Sequence, residues 1–297
     1  MVRNALVLAC LAFATASLAN PQYVLMPDST NNRMVLFDPF DGALVNSNYF
    51  ALAGGTPIHA IQVGEEIWVS EQVGDRVSRW SLTGTPLGAV TGALDNIRGM
   101  ALVGSTVYVS NAGTANGAPG AAVRMFSTTG ADLGHFTTAG TSGSPFAILG
   151  FQGGLLVASS QANDDVHRYS LTGTPQGTFH NSTSLNFAQQ MAVAANGDVL
   201  VAGFSSNNVV RLDPNTGALI SSFSASGARG VFQLGNGNIL WSNASGTHIY
   251  DVSSGTSQQV YTGVGRHFGL AVVPEPGTML ALGAGLGLLG IRRRRKR

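Results

Sequence analysis

One cysteine among 297 residues leaves no intrachain disulfide to hold the fold, and only a tenth of the side chains are charged. The formal charge of +1 hides a split: Arg3 and six basic residues at the end carry it, whereas residues 20–273 hold nine Arg and no Lys against 14 Asp and Glu, a net charge of −5. A mildly acidic, lysine-free domain is a poor binder of nucleic acid or anionic membrane, and low charge with 39 glycines fits an exported β-protein rich in turns.

The first element is an export signal. Met1 to Arg3 is a short cationic stretch, Ala5 to Ala16 is apolar, and Ser17-Leu18-Ala19 is a small-residue cleavage site before Asn20. Residues 1–19 therefore read as a signal peptide. Cys10 lies inside it, with too little apolar sequence ahead of Val7-Leu8-Ala9-Cys10 for a lipidation site, so the mature chain contains no cysteine.

Residues 20–273 repeat one template six times: apolar stretch, tight turn, second apolar stretch, polar loop, third strand, Gly turn, fourth strand. The third strands with their turns begin at Met34, Val77, Val123, Val166, Val209 and His248. Their closing glycines, Gly42, Gly84, Gly130, Gly173, Gly217 and Gly255, are 42, 46, 43, 44 and 38 residues apart. The second strands recur in step, as Ile67-Trp-Val-Ser, Val107-Tyr-Val-Ser, Leu155-Leu-Val-Ala, Val199-Leu-Val-Ala and Asn238-Ile-Leu-Trp, with Tyr23-Val-Leu-Met in the first unit. A period near 40–45 residues with four strands per unit is the spacing of propeller blades. Asn196-Gly197 and Asn236-Gly237 suit two-residue hairpins.

Closure is also predicted. The first unit lacks a first strand, and a spare one, Phe268 to Val273, stands at the far end. Pairing it with residues 22–50 completes a single all-β, six-bladed propeller with no open edge. The strings Asp28 to Pro39 and Ser205 to Pro214 carry the clearest resemblance, to NHL-type propellers and their gluconolactonase-like and streptogramin-lyase-like relatives. It covers most of residues 22–273 and reports packing and turns more than function.

Propellers bind at the mouth of the central channel, where the innermost strands begin. Aligning the units on Ala60, Gly99, Ala147, Gln190, Gly230 and Gly269 puts His59, Arg98, Phe146, Gln189, Arg229 and Phe268 there, with Arg266 and His267 beside them. This cationic and aromatic ring would suit a carboxylate, sulfate or phosphate, since guanidinium gives bidentate donors. The alternative, and the more ordinary role, is that the arginines pair with nearby Asp or cap strand ends. The gluconolactonase-like resemblance implies a central divalent cation held by acidic and amide residues, yet the predicted ring has no carboxylate. The lyase-like resemblance implies central histidines. His59 and His267 fall in adjacent blades, but zinc wants three or four ligands and no third histidine is equivalent. No metal, cofactor or catalytic residue is therefore assigned, and whether the domain is an enzyme stays open, leaning against. A non-enzymatic protein binding a polysaccharide or protein ligand is favoured over a metal-dependent propeller hydrolase or lyase.

The last element is the tail, 274–297. Val273-Pro274-Glu275-Pro276-Gly277 precedes an apolar run to Ile291 and the basic end Arg292, Arg293, Arg294, Arg295, Lys296, Arg297. At ~1.5 Å per residue, the run from Gly277 spans roughly 22 Å, short for a permanent membrane helix, and the basic end holds that side in the cytoplasm. Gly285-Leu-Gly287-Leu-Leu-Gly290 matches a dinucleotide-turn string, but no strand precedes it. A Pro-Glu-Pro triplet, an apolar span and a basic cluster in this order resemble the PEP-CTERM sorting tail of Gram-negative bacteria. That resemblance implies processing by an exosortase, passing association with the inner membrane through the short transmembrane helix, and release to the cell envelope, surface or exopolysaccharide of a biofilm-forming cell.

Overall fold

The computed structural model describes residues 21–161 and 165–274. The expected signal peptide, all of the tail after Pro274, and Asn163 and Asp164 lie outside the described residues. Among the described residues no helix is long and apolar enough to cross a membrane.

Among the described residues, twenty-four strands form six four-stranded antiparallel sheets. Blade one holds β1 (Gln22–Asp28), β2 (Arg33–Phe37) and β3 (Leu44–Ala51). Blade two is β4 (Pro57–Val63), β5 (Glu66–Glu71), β6 (Arg76–Ser81) and β7 (Pro86–Val90). Blade three is β8 (Ile97–Val103), β9 (Thr106–Asn111), β10 (Ala122–Ser127) and β11 (Asp132–Thr137). Blade four follows as β12 (Pro145–Phe151), β13 (Gly154–Ser159), β14 (Val166–Tyr169) and β15 (Pro175–His180). Blade five is β16 (Ala188–Val193), β17 (Val199–Gly203), β18 (Asn208–Leu212) and β19 (Leu219–Ser224). Blade six is β20 (Gly230–Gln233), β21 (Ile239–Ser242), β22 (Gly246–Asp251) and β23 (Thr256–Thr262). The last strand, β24 (Gly269–Val272), returns to blade one and pairs with β1, Gln22 facing Val272 and Leu25 facing Gly269. The spare strand thus closes the ring as the repeat count requires, and neither terminal blade leaves a free inner edge.

The core is not one mass. Six clusters of buried apolar residues form, each drawn from two neighbouring blades. Leu25, Met34 and Phe50 meet Ile67, Val69 and Trp80 between blades one and two, and Val24, Met26 and Phe37 meet Leu234, Leu240 and Tyr261 between six and one. The other interfaces follow suit. A blade has apolar side chains on both faces because both are covered, so its strands read as apolar runs rather than alternations. The tryptophans sit in these interfaces as gap fillers: Trp68, Trp80 and Trp241 are all buried.

The repeated turn between third and fourth strands has one chemistry. Ser81 Oγ accepts from the N–H groups of Thr83 (3.3 Å) and Thr85 (3.0 Å), and Ser127 and Ser170 do the same two and four residues on. In the other blades Asp38, Asp213 and Asp251 accept two successive N–H groups with a carboxylate oxygen. Short oxygen-bearing side chains satisfy turn donors that no strand partner can reach. The Asn-Gly pairs differ from expectation. At 194–198 and 234–238 only the glycines, Gly197 (φ +92°) and Gly237 (φ +90°), adopt positive φ. Their N–H groups close onto Ala194 and Leu234, so these are longer turns than two residues. A tight pair with positive φ at both positions is instead Gln152-Gly153.

The two ends of the barrel differ. At the entry end the innermost strands begin and second strands hand over to third. At the exit end lie the hairpins between first and second strands, and the chain's own first and last strands, β1 and β24, begin and end there.

Candidate functional site

Four of the six inner strands open with an irregularity. In β4, β8, β12 and β16 the ladder to the second strand slips by one residue near the start, between Pro57 and His59, Ile97 and Met100, Pro145 and Ile148, and Ala188 and Met191. A bulge of this kind re-aims the side chains around it. Register through the bulges sets Ile58, Arg98, Phe146, Gln189, Arg229 and Arg266 on one level, and His59, Gly99, Ala147, Gln190, Gly230 and His267 on the next level inward. Contacts between blades repeat the same offset: Gln190 N–H donates to Arg229 O (3.1 Å) and His267 N–H to Ile58 O (3.0 Å). The single ring expected from the sequence is therefore spread over three levels. His59 sits one step below Arg98, beside His267, and Phe268 one step lower still. Aligning on small residues passed over the extra bulge residue.

The second level seals strand edges. His59 Nδ1 accepts from Met100 N–H at 3.1 Å, so its Nε2 carries the proton and donates to Phe268 O at 3.1 Å. Gln190 Oε1 accepts from Val231 N–H (3.0 Å) and Phe268 N–H (2.8 Å), while its Nε2 donates to Phe268 O. Inner strands have no neighbour on the axis, and these side chains supply the missing partners. Burial pushes His59 down to about 4, the two backbone contacts opposing it, so it is neutral. Below this seal a cavity of about 360 Å³ runs towards the exit end, lined by Met100, Ile148, Met191, Val231 and Phe232.

His267 has no such partners. It is fully buried, and among the described residues neither ring nitrogen finds a hydrogen-bond partner. Its ring lies 5.4 Å from that of His59 and 5.7 Å from that of Phe146 across the axis. Burial, then His59, Arg266 and Arg229, hold it well below the ordinary histidine value.

Arg229 and Arg266 come together on the first level from blades six and one. Ser242 joins their backbones: it accepts from Gly230 N–H (2.9 Å) and donates to Arg266 O (2.6 Å), while Arg229 N–H reaches Ser242 O (2.8 Å). Arg266 Nε donates to Ser29 Oγ at 2.8 Å. Arg229 lies over the Phe204 ring, its guanidinium carbon 5.6 Å from the centroid, and its Nε and Nη1 are buried without acceptors among the described residues. Burial, then the charge of Arg229, bring Arg266 down to about 10, Asp28 opposing; burial alone lowers Arg229. Arg98 stands apart, stacked 4.7 Å over Phe146, with Nη1 donating to Ser144 Oγ, Pro145 O and Ser160 Oγ. Burial lowers it to about 10. Gln189 is buried on the same level.

Pairing separates these three arginines from most others. Arg33, Arg76, Arg79, Arg124 and Arg211 each meet a carboxylate. Glu66 is one of those partners, and also accepts from Trp68 Nε1. Among the described residues no carboxylate lies within ion-pairing distance of Arg98, Arg229 or Arg266. Likewise among them, no three His, Cys, Asp or Glu gather as metal ligands.

Asp28 flanks the arginine pair. It is buried, and although burial raises it, hydrogen bonds from Tyr261, Asn31 and Thr30 hold its carboxyl below the usual value. Sequence reasoning missed Ser242 and its counterparts: Ser70 and Ser110 donate to the carbonyls of Arg98 and Phe146 in the next blade. The signal was present as the serine ending Ile67-Trp-Val-Ser and Val107-Tyr-Val-Ser. Of the expected sorting residues only Pro274 is described; Glu275, Pro276 and Arg292 to Arg295 lie outside.

Residues 272–296 match the PEP-CTERM protein-sorting motif. No curated protein matches the chain. Among solved structures, a nidogen/laminin complex is similar over 86% of this chain and 100% of that one, at 12% identity and TM-score 0.71. A protein of unknown function from Bacteroides caccae is similar over 84% and 98%, at 14% identity and TM-score 0.61. A streptogramin B lyase is similar over 81% and 87%, at 14% identity and TM-score 0.57. At such identities the likeness concerns the fold alone. The chain thus joins a six-bladed propeller to a PEP-CTERM motif, which implies export and exosortase processing in a Gram-negative bacterium.

Proposed function

We propose that the mature protein, residues 20–273 after loss of both signal segments, is a non-enzymatic binding protein of the cell envelope or exopolysaccharide matrix, holding an anionic polysaccharide at the entry end of the propeller. The supporting observation is the set of partly or wholly buried guanidiniums at Arg98, Arg229 and Arg266, which lack carboxylate partners in a domain that is otherwise acidic. Buried charges are normally paired, so three unpaired ones on one level favour an anion supplied from outside. Phe146 and Phe268, the aromatic members of the expected ring, are buried at 4% and 2% exposure, which leaves the arginines as the recognising groups. The sorting motif supplies the address, with an exosortase as processing partner. Final location and any attachment after cleavage belong to this proposal.

The competing reading is a propeller hydrolase or lyase working through His59 and His267. Their proximity favours it, but His59 has both nitrogens committed to the backbone.

Residues 22–274 form one compact unit suited to the test. Passed over an immobilised uronic-acid polysaccharide at low salt, this unit is expected to be retained, to elute as salt rises towards about 0.5 M, and to ignore neutral dextran. Arg98→Ala with Arg229→Ala is expected to flow through. Absence of retention, or retention unchanged in the double variant, would sink the proposal. A stoichiometric divalent ion seen by native mass spectrometry would move the enzyme reading ahead.

A further inference from the structure

Resting on that reading, we infer that Arg229, Arg266 and His267 form a seat for one oxyanion group of the ligand, a carboxylate or a sulfate ester. The seat is built into the fold rather than scattered on the surface. Its two arginines belong to different blades and are drawn together through Ser242. Glycine at position 230 makes this approach possible, since a side chain there would meet Ser242 Oγ at 2.6 Å and Phe268 Cε2 at 2.9 Å. Arg266 is steered by Ser29, and Arg229 by Phe204. Beneath them His267 is walled by His59 and Phe146.

The hydrogen-bond inventory is lopsided. Arg229 contributes two buried nitrogens without acceptors and His267 two ring nitrogens without partners. A guanidinium only donates and the neutral His267 ring carries one N–H, so three donor nitrogens lack acceptors against one bare ring nitrogen; an oxyanion is acceptor-only. Both arginines are partly accessible, whereas His267 is covered. An anion entering from the entry end turns the guanidiniums onto itself and uncovers the imidazole below.

This arrangement couples binding to a proton. The groups facing His267 are the neutral His59 on β4, uncharged Phe146 on β12, Arg266 on its own segment, and Arg229 ahead of β20; Asp28, at the end of β1, faces Arg266. With two cations beside it and no anion, the imidazole stays neutral. A bound carboxylate or sulfate reverses the local field and favours imidazolium, which offers two donors. Affinity therefore rises as pH falls.

The test is calorimetric titration of residues 22–274 with glucuronate, galactose 6-sulfate and glucose, at pH 7.5 and 5.5, in two buffers of different ionisation heat. Both charged sugars are expected to bind about tenfold tighter at pH 5.5, with close to one proton taken up, and glucose not to bind. Binding of glucuronate alone would assign the seat to carboxylates, and binding of both to oxyanions in general. Arg266→Gln is expected to weaken binding at least tenfold at both pH values. His267→Leu removes two unsatisfied nitrogens, so it is expected to keep or raise Tm while abolishing the pH dependence. Unchanged affinity in Arg266→Gln, or a pH dependence that survives in His267→Leu, overturns the seat. If the unit is still retained on polysaccharide in that event, the broader reading stands and only the seat falls; if it is neither retained nor bound by any sugar, both fall.

Discussion

Replacing Gly217 with alanine is expected to destabilise the propeller by about 4 kcal/mol, while the same change at Gly237 costs only about 1 kcal/mol. Both glycines have positive φ, +70° and +90°, so both substitutions carry the strain of a side chain in the left-handed region. They differ in what the new methyl group meets. At Gly237 nothing lies within 4 Å. At Gly217, in the turn after β18, it would press on the Phe179 carbonyl oxygen of blade four, with the carbonyl carbon at 2.7 Å. Backbone cannot swing aside as a side chain can, so the two blades must separate. Gly217 is thus an interblade contact as well as a turn glycine. Urea unfolding of the two variants measures the difference; equal losses would mean that blade contact contributes nothing. For a domain of this size the Gly217→Ala loss corresponds to a Tm lower by roughly 10 °C.

Acid should unfold the protein early. His59 titrates near 6.5 in the unfolded chain and near 4 in the fold, so between those values only the unfolded state binds its proton. Stability from this group is complete above about pH 6.5 and is lost as pH falls towards 4. At about 1.4 kcal/mol per pH unit the loss approaches 3 kcal/mol. His267, also depressed, adds loss in the same direction. Asp28, whose carboxyl is held low, contributes stability that disappears at still lower pH. Urea midpoints at pH 7.5 and 4.5 should differ by several kcal/mol in free energy. A flat profile would mean that the histidines are not buried as described.

Most of the architecture was legible because the repeat is written in turn chemistry. The Ser-x-Thr-Gly strings mark the third-to-fourth-strand turns, and the unit that begins at its second strand foretold the partner of β24. Apolar runs such as Leu155-Leu-Val-Ala could be placed because both blade faces are covered. The site was legible only in part. Arg98, Arg229, Arg266 and His267 could be picked out by alignment, but their levels could not, because a one-residue bulge leaves no compositional mark. The split between His59 and His267 was likewise hidden. Both are buried histidines near the axis, and only the geometry of Met100 N–H and Phe268 O separates the partnered ring from the bare one. Ser242 went unnoticed because its role lies in joining segments 24 residues apart in sequence and in different blades.

The most direct measurement is a crystal structure of residues 22–274 grown with glucuronate. A carboxylate is expected between the Arg229 and Arg266 guanidiniums at the entry end, within hydrogen-bond distance of His267. A sugar bound instead in the apolar cavity at the exit end, or a metal ion held by His59 and His267, would contradict it.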